Sequence, residues 1–351
     1  MLCMKTLLLV PALALAFAGC GGGSAASFGP PPPPLPPPPG SLDFPTRCAQ
    51  AGVVKCVGFD SAADIPSGNN GANFGIFASS GNPNIQPTLD ATIKASGNSS
   101  LKFTIPSNSG ADTSGSYFTN FSSDLSVQFG GNQEFYVQWR QRFTTDFITT
   151  KYAGASGWKQ IIIGSGDQPA MLYFSCTDLE TVVNNAYYRG FPQMYNSCGA
   201  SSAHGPFDGF EEPFGNADFK LQNARPSPYC LYSQGNTNPP SYFPPTGNCF
   251  PYLAKQWLTF QVKIQIGPRV NDVFANSRVT LWIAREGQAS EMVFNWGPYS
   301  LNAGSAAKNQ KFGKVWLLPY NTDKDSSVSY PETYTWYDEL IISTTPIADP
   351  Q

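Results

Sequence analysis

The chain has 351 residues and a net charge of −3; only 13% of its residues are charged, whereas 14% are aromatic. A charge set so sparse and balanced lacks the basic stripe that neutralises phosphates, which excludes a nucleic-acid partner. Residues 46–351 are enough for one large β domain and do not require two.

In chain order, residues 1–19 carry Lys5, then an apolar run at 6–17 (TLLLVPALALAF), then Ala18 and Gly19. These are the n-region, h-region and small-residue cleavage site of an export signal. The run is too short to span a bilayer, which takes about 20 residues. Residues 20–45 read as a tether, with a Gly/Ser stretch after Cys20 and a proline run from Pro30 to Pro39. At about 3.1 Å per residue, that run supplies roughly 30 Å of semi-rigid reach. A Pro-rich ligand for a partner domain is the alternative reading.

Cys20 directly after Ala-Gly resembles the lipobox of bacterial lipoproteins, with Phe17 standing where leucine is the usual choice. The resemblance implies lipidation of Cys20 as the mature N-terminus. Gly21, in place of an aspartate, implies retention at the outer membrane. The expected address is therefore exported and lipid-anchored, at the outer membrane or cell surface. A plain secreted protein with a coincidental cysteine is the alternative.

Beyond Cys3 and Cys20, six cysteines remain: Cys48, Cys56, Cys176, Cys198, Cys230 and Cys249. An even number in an exported chain reads as disulfides, and six allow 15 pairings. Local closure favours Cys48–Cys56, Cys176–Cys198 and Cys230–Cys249. With no CxxC and a single histidine, a structural zinc site is disfavoured.

Candidate strands recur at 53–59, 100–105, 134–143, 158–163, 170–176, 257–266, 278–284, 291–295, 314–319 and 333–343, separated by Gly/Asn/Pro/Ser clusters. In 134–143, Phe135, Val137, Trp139, Gln141 and Phe143 alternate with Tyr136, Gln138, Arg140 and Arg142. That period of two puts one face in a core and leaves the other polar. Arg285-Glu-Gly-Gln288 supplies a tight hairpin. No long amphipathic helix and no fixed repeat appears. So many strands in one domain imply two packed antiparallel sheets. Residues 184–251, rich in Pro, Gly and Tyr and holding His204, read instead as a long disulfide-stapled loop insertion of the kind that forms lids or binding walls.

The blocks at 135–143 (FYVQWRQRF), 157–163 (GWKQIII) and 334–343 (YTWYDELIIS) resemble concanavalin A-like jelly rolls, and more narrowly their polysaccharide-lyase-like branch. The resemblance implies an all-β, two-sheet antiparallel jelly-roll sandwich acting on extracellular polysaccharide by β-elimination of a uronate-containing glycan. Such a reaction needs the uronate carboxylate neutralised, a base for the C5 proton and an acid for the leaving oxygen. Arg140, Lys159 and Gln160 are the expected neutralising groups, with His204 or a tyrosine such as Tyr173 moving the proton. Arg142, Gln138, Tyr187, Tyr188 and Tyr195 are the expected substrate contacts. Where alginate-type lyases carry Gln-x-His, this chain has Gln160-Ile-Ile.

A glycoside hydrolase needs two carboxylates about 5 to 9 Å apart. Asp338 and Glu339, adjacent on one strand, would point to opposite faces as surface carboxylates. No cofactor is required, and a structural calcium at Asp338 is the one metal expectation. The expected partners are the polysaccharide and, through the lipid, a membrane, for a monomeric chain. A non-catalytic glycan-binding or adhesion module on the same fold is the alternative function.

Overall fold

A computed structural model describes residues 41–350 apart from 68–73, 80–81, 83, 153–156, 167–178, 186–189, 197–233, 236–240, 243–248, 305–308 and 322–323. In chain order its first strands are β1 (Val53–Val57), β2 (Gly75–Phe77), β3 (Thr88–Asp90), β4 (Ser100–Ile105), β5 (Ser116–Asn120), β6 (Glu134–Phe143), β7 (Trp158–Ser165), β8 (Glu180–Asn185) and β9 (Pro192–Asn196). There follow β10 (Gln234–Gly235), β11 (Ser241–Tyr242), β12 (Trp257–Gln265), β13 (Arg269–Val270), β14 (Val273–Arg285), β15 (Glu291–Asn302), β16 (Phe312–Leu317) and β17 (Thr333–Ser343). Among the described residues there are also two short α-helices, α1 (Phe44–Cys48) and α2 (Thr145–Thr149), and a 3-10 turn at Ala62–Asp64.

Nine strands form one antiparallel sheet in the order β13-β14-β12-β6-β17-β4-β3, with β15 on β14 and β1 on β17. Six form the second, in the order β2-β5-β16-β7-β8-β9, and β10 and β11 pair by themselves. This is the two-sheet antiparallel sandwich that the alternating segments predicted. The inward residues of β6 (Phe135, Val137, Trp139, Phe143) and β12 (Leu258, Phe260, Val262, Ile264) meet Ile161, Ile163, Val183, Met194, Val315 and Leu317 of the smaller sheet in one core. Aromatic pairs set its geometry: Phe129 stacks on Phe135 at 4.7 Å and Trp139 on Phe260 at 5.0 Å.

The predicted strands at 100–105, 134–143 and 333–343 are observed with those limits. The predicted hairpin links β14 to β15, with the Gln288 N–H donating to the Arg285 carbonyl at 2.9 Å and Gly287 at φ 70°. Part of the expected loop insertion is sheet instead: β9 pairs along β8, from Thr181 opposite Asn196 to Asn185 opposite Pro192. The candidate strand at 170–176 lies outside the described residues.

Part of the outer face of the nine-stranded sheet, over β12, β6 and β17, is roofed by both ends of the described chain. Asp43 caps α1, its Oδ1 accepting from the Thr46 N–H at 2.8 Å. Disulfide Cys48–Cys56 ties α1 to β1, as expected. Cys249 is also disulfide-bonded, while Cys176, Cys198 and Cys230 lie outside the described residues, as does Cys20. The Leu42 N–H donates to the Asp349 carbonyl at 2.9 Å, and the Ile347 N–H donates to Gln261 Oε1 at 2.8 Å. The polar face predicted for β6 is therefore largely buried rather than wet.

Candidate functional site

Three of the predicted catalytic residues occupy three different layers. Arg140 lies on the roofed face of β6, 5% exposed. There Glu339 joins Arg47 of α1 to Arg140, the latter at 3.6 Å. Gln138, fully buried, accepts from Arg47 and donates to the Ala348 carbonyl at 3.1 Å. Arg140 and Gln138 thus belong to a buried ionic network that fastens the roof.

Gln160 points between the sheets. Its Nε2 donates to Gln141 Oε1 at 2.9 Å, its Oε1 accepts from the Tyr252 hydroxyl at 2.6 Å, and its carbonyl accepts from the Tyr337 hydroxyl at 2.7 Å. Trp139 Nε1 also donates to Gln141 Oε1, at 3.3 Å. This polar network crosses the core from β6 and β17 to β7. Alternation from the inward Ile161 and Ile163 would turn Gln160 outward. A β-bulge between Lys159 and Ile161 reverses it, because one inserted residue flips the face. Gln160→Leu strands the buried Tyr252 hydroxyl and should cost about 1–3 kcal/mol, read as a lower denaturation midpoint.

Asp338 and Glu339 do not face opposite ways as expected. The register slips between Asp338 and Ile341, and Glu339 sits at φ 50°, so both carboxylates lie on the roofed side. Asp338 is fully buried. Its Oδ2 accepts from the Ala95 and Ser96 N–H groups at 2.8 and 3.4 Å, and its Oδ1 from the Glu339 N–H at 2.8 Å. No cluster of three or more His, Cys, Asp or Glu suited to a metal occurs among the described residues. Desolvation, aided by the Glu339 carboxylate, pushes the Asp338 carboxyl up from 3.8 to about 8, against the pull of the backbone N–H groups.

The folded state therefore holds a proton there that the unfolded state releases above its ordinary pKa. The stabilisation is complete below pH 3.8 and is lost as pH rises through about 8. Asp338→Asn should flatten the fall in denaturation midpoint between pH 5 and 8.

Lys159 lies elsewhere, on the outer face of the six-stranded sheet. Register places it opposite Asn184 of β8, and Asn184 opposite Gln193 of β9, so the three form one cross-strand row. Asn184 Nδ2 donates to Gln193 Oε1 at 2.8 Å. The next outward row runs Ile162, Val182, Tyr195. Lys159 Nζ stands 5.2 Å from the centre of the Tyr320 ring. Lys159, Asn184, Tyr195 and Tyr320 are half-buried, beside an apolar cluster of Phe77, Phe118, Ile162, Val182, Trp316 and Leu318. Burial pushes the Lys159 ammonium down from its usual range, partly offset by the Glu180 and Asp112 carboxylates.

This face thus gathers a cation, two amides and two phenols. Lys159 and Tyr195 were legible in the sequence; Asn184 and Gln193 were missed because 184–251 read as a loop, and Tyr320 because it follows the end of the candidate strand at 314–319. Tyr173, Tyr187, Tyr188 and His204 lie outside the described residues. Arg142 lies on the nine-stranded sheet, opposite Trp257 and Trp336.

No protein-family model matches the chain, and no curated protein matches it. Among solved structures it is similar to the PL-14 alginate lyase from Aplysia kurodai, with 10% identity and a TM-score of 0.44 over 74% of this chain and 87% of that one. It is similar to the endo-β-1,4-glucuronan lyase from the fungus Trichoderma reesei, with 12% identity and a TM-score of 0.40 over 76% and 90%. It is also similar to the alginate lyase vAL-1 from Chlorella virus, with 10% identity and a TM-score of 0.41 over 83% and 99%.

Proposed function

We propose that the chain acts on an acidic polysaccharide at the outer face of the six-stranded sheet, by β-elimination at a uronate. The observation that carries this reading is the row Lys159–Asn184–Gln193 with Tyr195 in the next row and Tyr320 against the lysine. Neighbouring strands lie about 4.8 Å apart, so the three-strand row spans about 9.6 Å, roughly two sugar units.

Lys159 and the amide N–H groups draw charge from the uronate carboxylate, which makes the C5 proton acidic enough to leave. In this reading the Tyr195 phenol, in the next outward row, moves that proton. Loss of the C5 proton and departure of the C4 oxygen leave a C4–C5 double bond conjugated with the carboxylate. That product absorbs in the ultraviolet, and the departing oxygen takes up a proton.

The second reading is a non-catalytic glycan-binding module. The phenols of Tyr195 and Tyr320 favour it, since they can stack on sugar rings without any chemistry. Incubation with a panel of uronate polymers separates the two: ultraviolet absorbance rises for an eliminating enzyme and stays flat for a binder that still retains a polymer. In this reading the chain is exported and held at the outer membrane or cell surface by lipid on Cys20, and works as a monomer on extracellular polymer.

A further inference from the structure

The other sheet carries a second, unused arrangement of cations and aromatic rings. Across β12, β6, β17, β4 and β3 one outward row reads Trp257, Arg142, Trp336, Lys102, Thr88. Trp257 and Trp336 form its floor, 2% and 5% exposed. Their indole N–H groups are taken, Trp257 donating to the Lys94 carbonyl at 3.2 Å and Trp336 to Asp90 Oδ2 at 2.9 Å. These bonds hold the end of β3 at Asp90 and the segment after it as one wall, with Lys94 exposed on it.

Arg142 and Lys102 are half-exposed between and beside the indoles. The Lys102 ammonium stands 4.2 Å from the centre of the Tyr334 ring, and that ring lies 6.0 Å from Trp336. Arg142 differs from its neighbour Arg140: no carboxylate of the described residues lies within ion-pair distance of its guanidinium. A half-buried guanidinium without a counter-charge, flanked by indoles, is suited to an anion brought from outside.

We propose that this row is a second binding site for an acidic polysaccharide, separate from the Lys159 face and on the opposite sheet. Arg142 and Lys102 stand two strands apart, about 9.6 Å, roughly the length of a disaccharide. Two carboxylates of one polymer strand would then pair with them, while the exposed part of Tyr334 meets a sugar face. The ligand class rests on the reading of the Lys159 face as a uronate site; the geometry of the row does not.

Electrophoresis through a gel containing alginate tests the site, with a gel containing hydroxyethyl cellulose as the neutral reference. Lys159→Ala should still be retarded by alginate, because the second site remains. Adding Arg142→Gln and Lys102→Gln should weaken that retardation by about fivefold to tenfold, the loss of two partly exposed charge contacts. Restoring charge with Arg142→Lys and Lys102→Arg should recover it, which separates lost contacts from a lost fold. Retardation of the glutamine variant equal to that of Lys159→Ala alone overturns the second site. A parent chain retarded by alginate that yields no unsaturated product overturns the elimination reading and leaves the site standing. A parent chain that alginate does not retard overturns both.

Discussion

Replacing Lys159 by alanine should lower the rate of unsaturated-product formation from a uronate polymer by on the order of 10²–10³-fold, the cost of losing one oriented stabiliser of developing charge. Lys159→Arg keeps the charge and should retain part of the rate, since neutralisation needs a cation and not a removable proton. The pH profile carries the same information. Burial lowers the Lys159 pKa, so the cation is lost earlier than in an ordinary lysine. Turnover should therefore fall as pH rises through that lowered value. A rate that climbs there, with Lys159→Arg inactive, would make Lys159 the base instead. Tyr195→Phe removes the phenolic proton but keeps the ring, so it should abolish turnover while leaving polymer retention in place.

Glu339→Ala should be the most destabilising single change on the roofed face, costing about 3–5 kcal/mol. Arg47 is fully buried and Arg140 nearly so, and Glu339 is the carboxylate both share. Removing it leaves two guanidinium groups facing each other in a place that water does not reach. Urea denaturation followed by far-ultraviolet circular dichroism measures the loss as a lower midpoint. Replacing all three charges together, with Arg47→Met, Arg140→Met and Glu339→Leu, should recover most of it, because desolvation of the ions is then no longer required. Equal stability of Glu339→Ala and the parent would mean that the roof is held by its apolar contacts alone. For the same reason Arg140→Ala should show its effect first in stability.

The sandwich was legible in the sequence because its central strands obey strict alternation. In β6, and again in β12, every second side chain is a large apolar group or an inward amide, and the strand limits follow directly. What alternation cannot report is a bulge. One extra residue beside Lys159 turned Gln160 into the core, and another at Glu339 brought two neighbouring acids to one side. Both are local slips with no residue-type signature. The strands β8 and β9 were hidden for a different reason: Asn184, Asn185 and Pro192 are punctuation residues, and here they stand inside or at the start of paired strands. Arg47 was invisible as a core residue, since a five-residue helix has no period and an isolated arginine reads as surface. The Lys159 face was thus half read: its cation and one phenol were picked out by type, and the amides that complete the row emerged only from strand register.

The place of β17 in the larger sheet has a consequence for how the chain is made. It lies between β6 on one side and both β4 and β1 on the other. Its residues 333–343 are synthesised after every other strand, so the sheet lacks its centre until then. Through most of synthesis, β6, β4 and β1 present unpaired edges, and Arg47 has no Glu339 to meet. A chain in that state cannot close early, and open strand edges invite pairing with other chains. Those edges stay open until β17 arrives and closes the sheet from its middle.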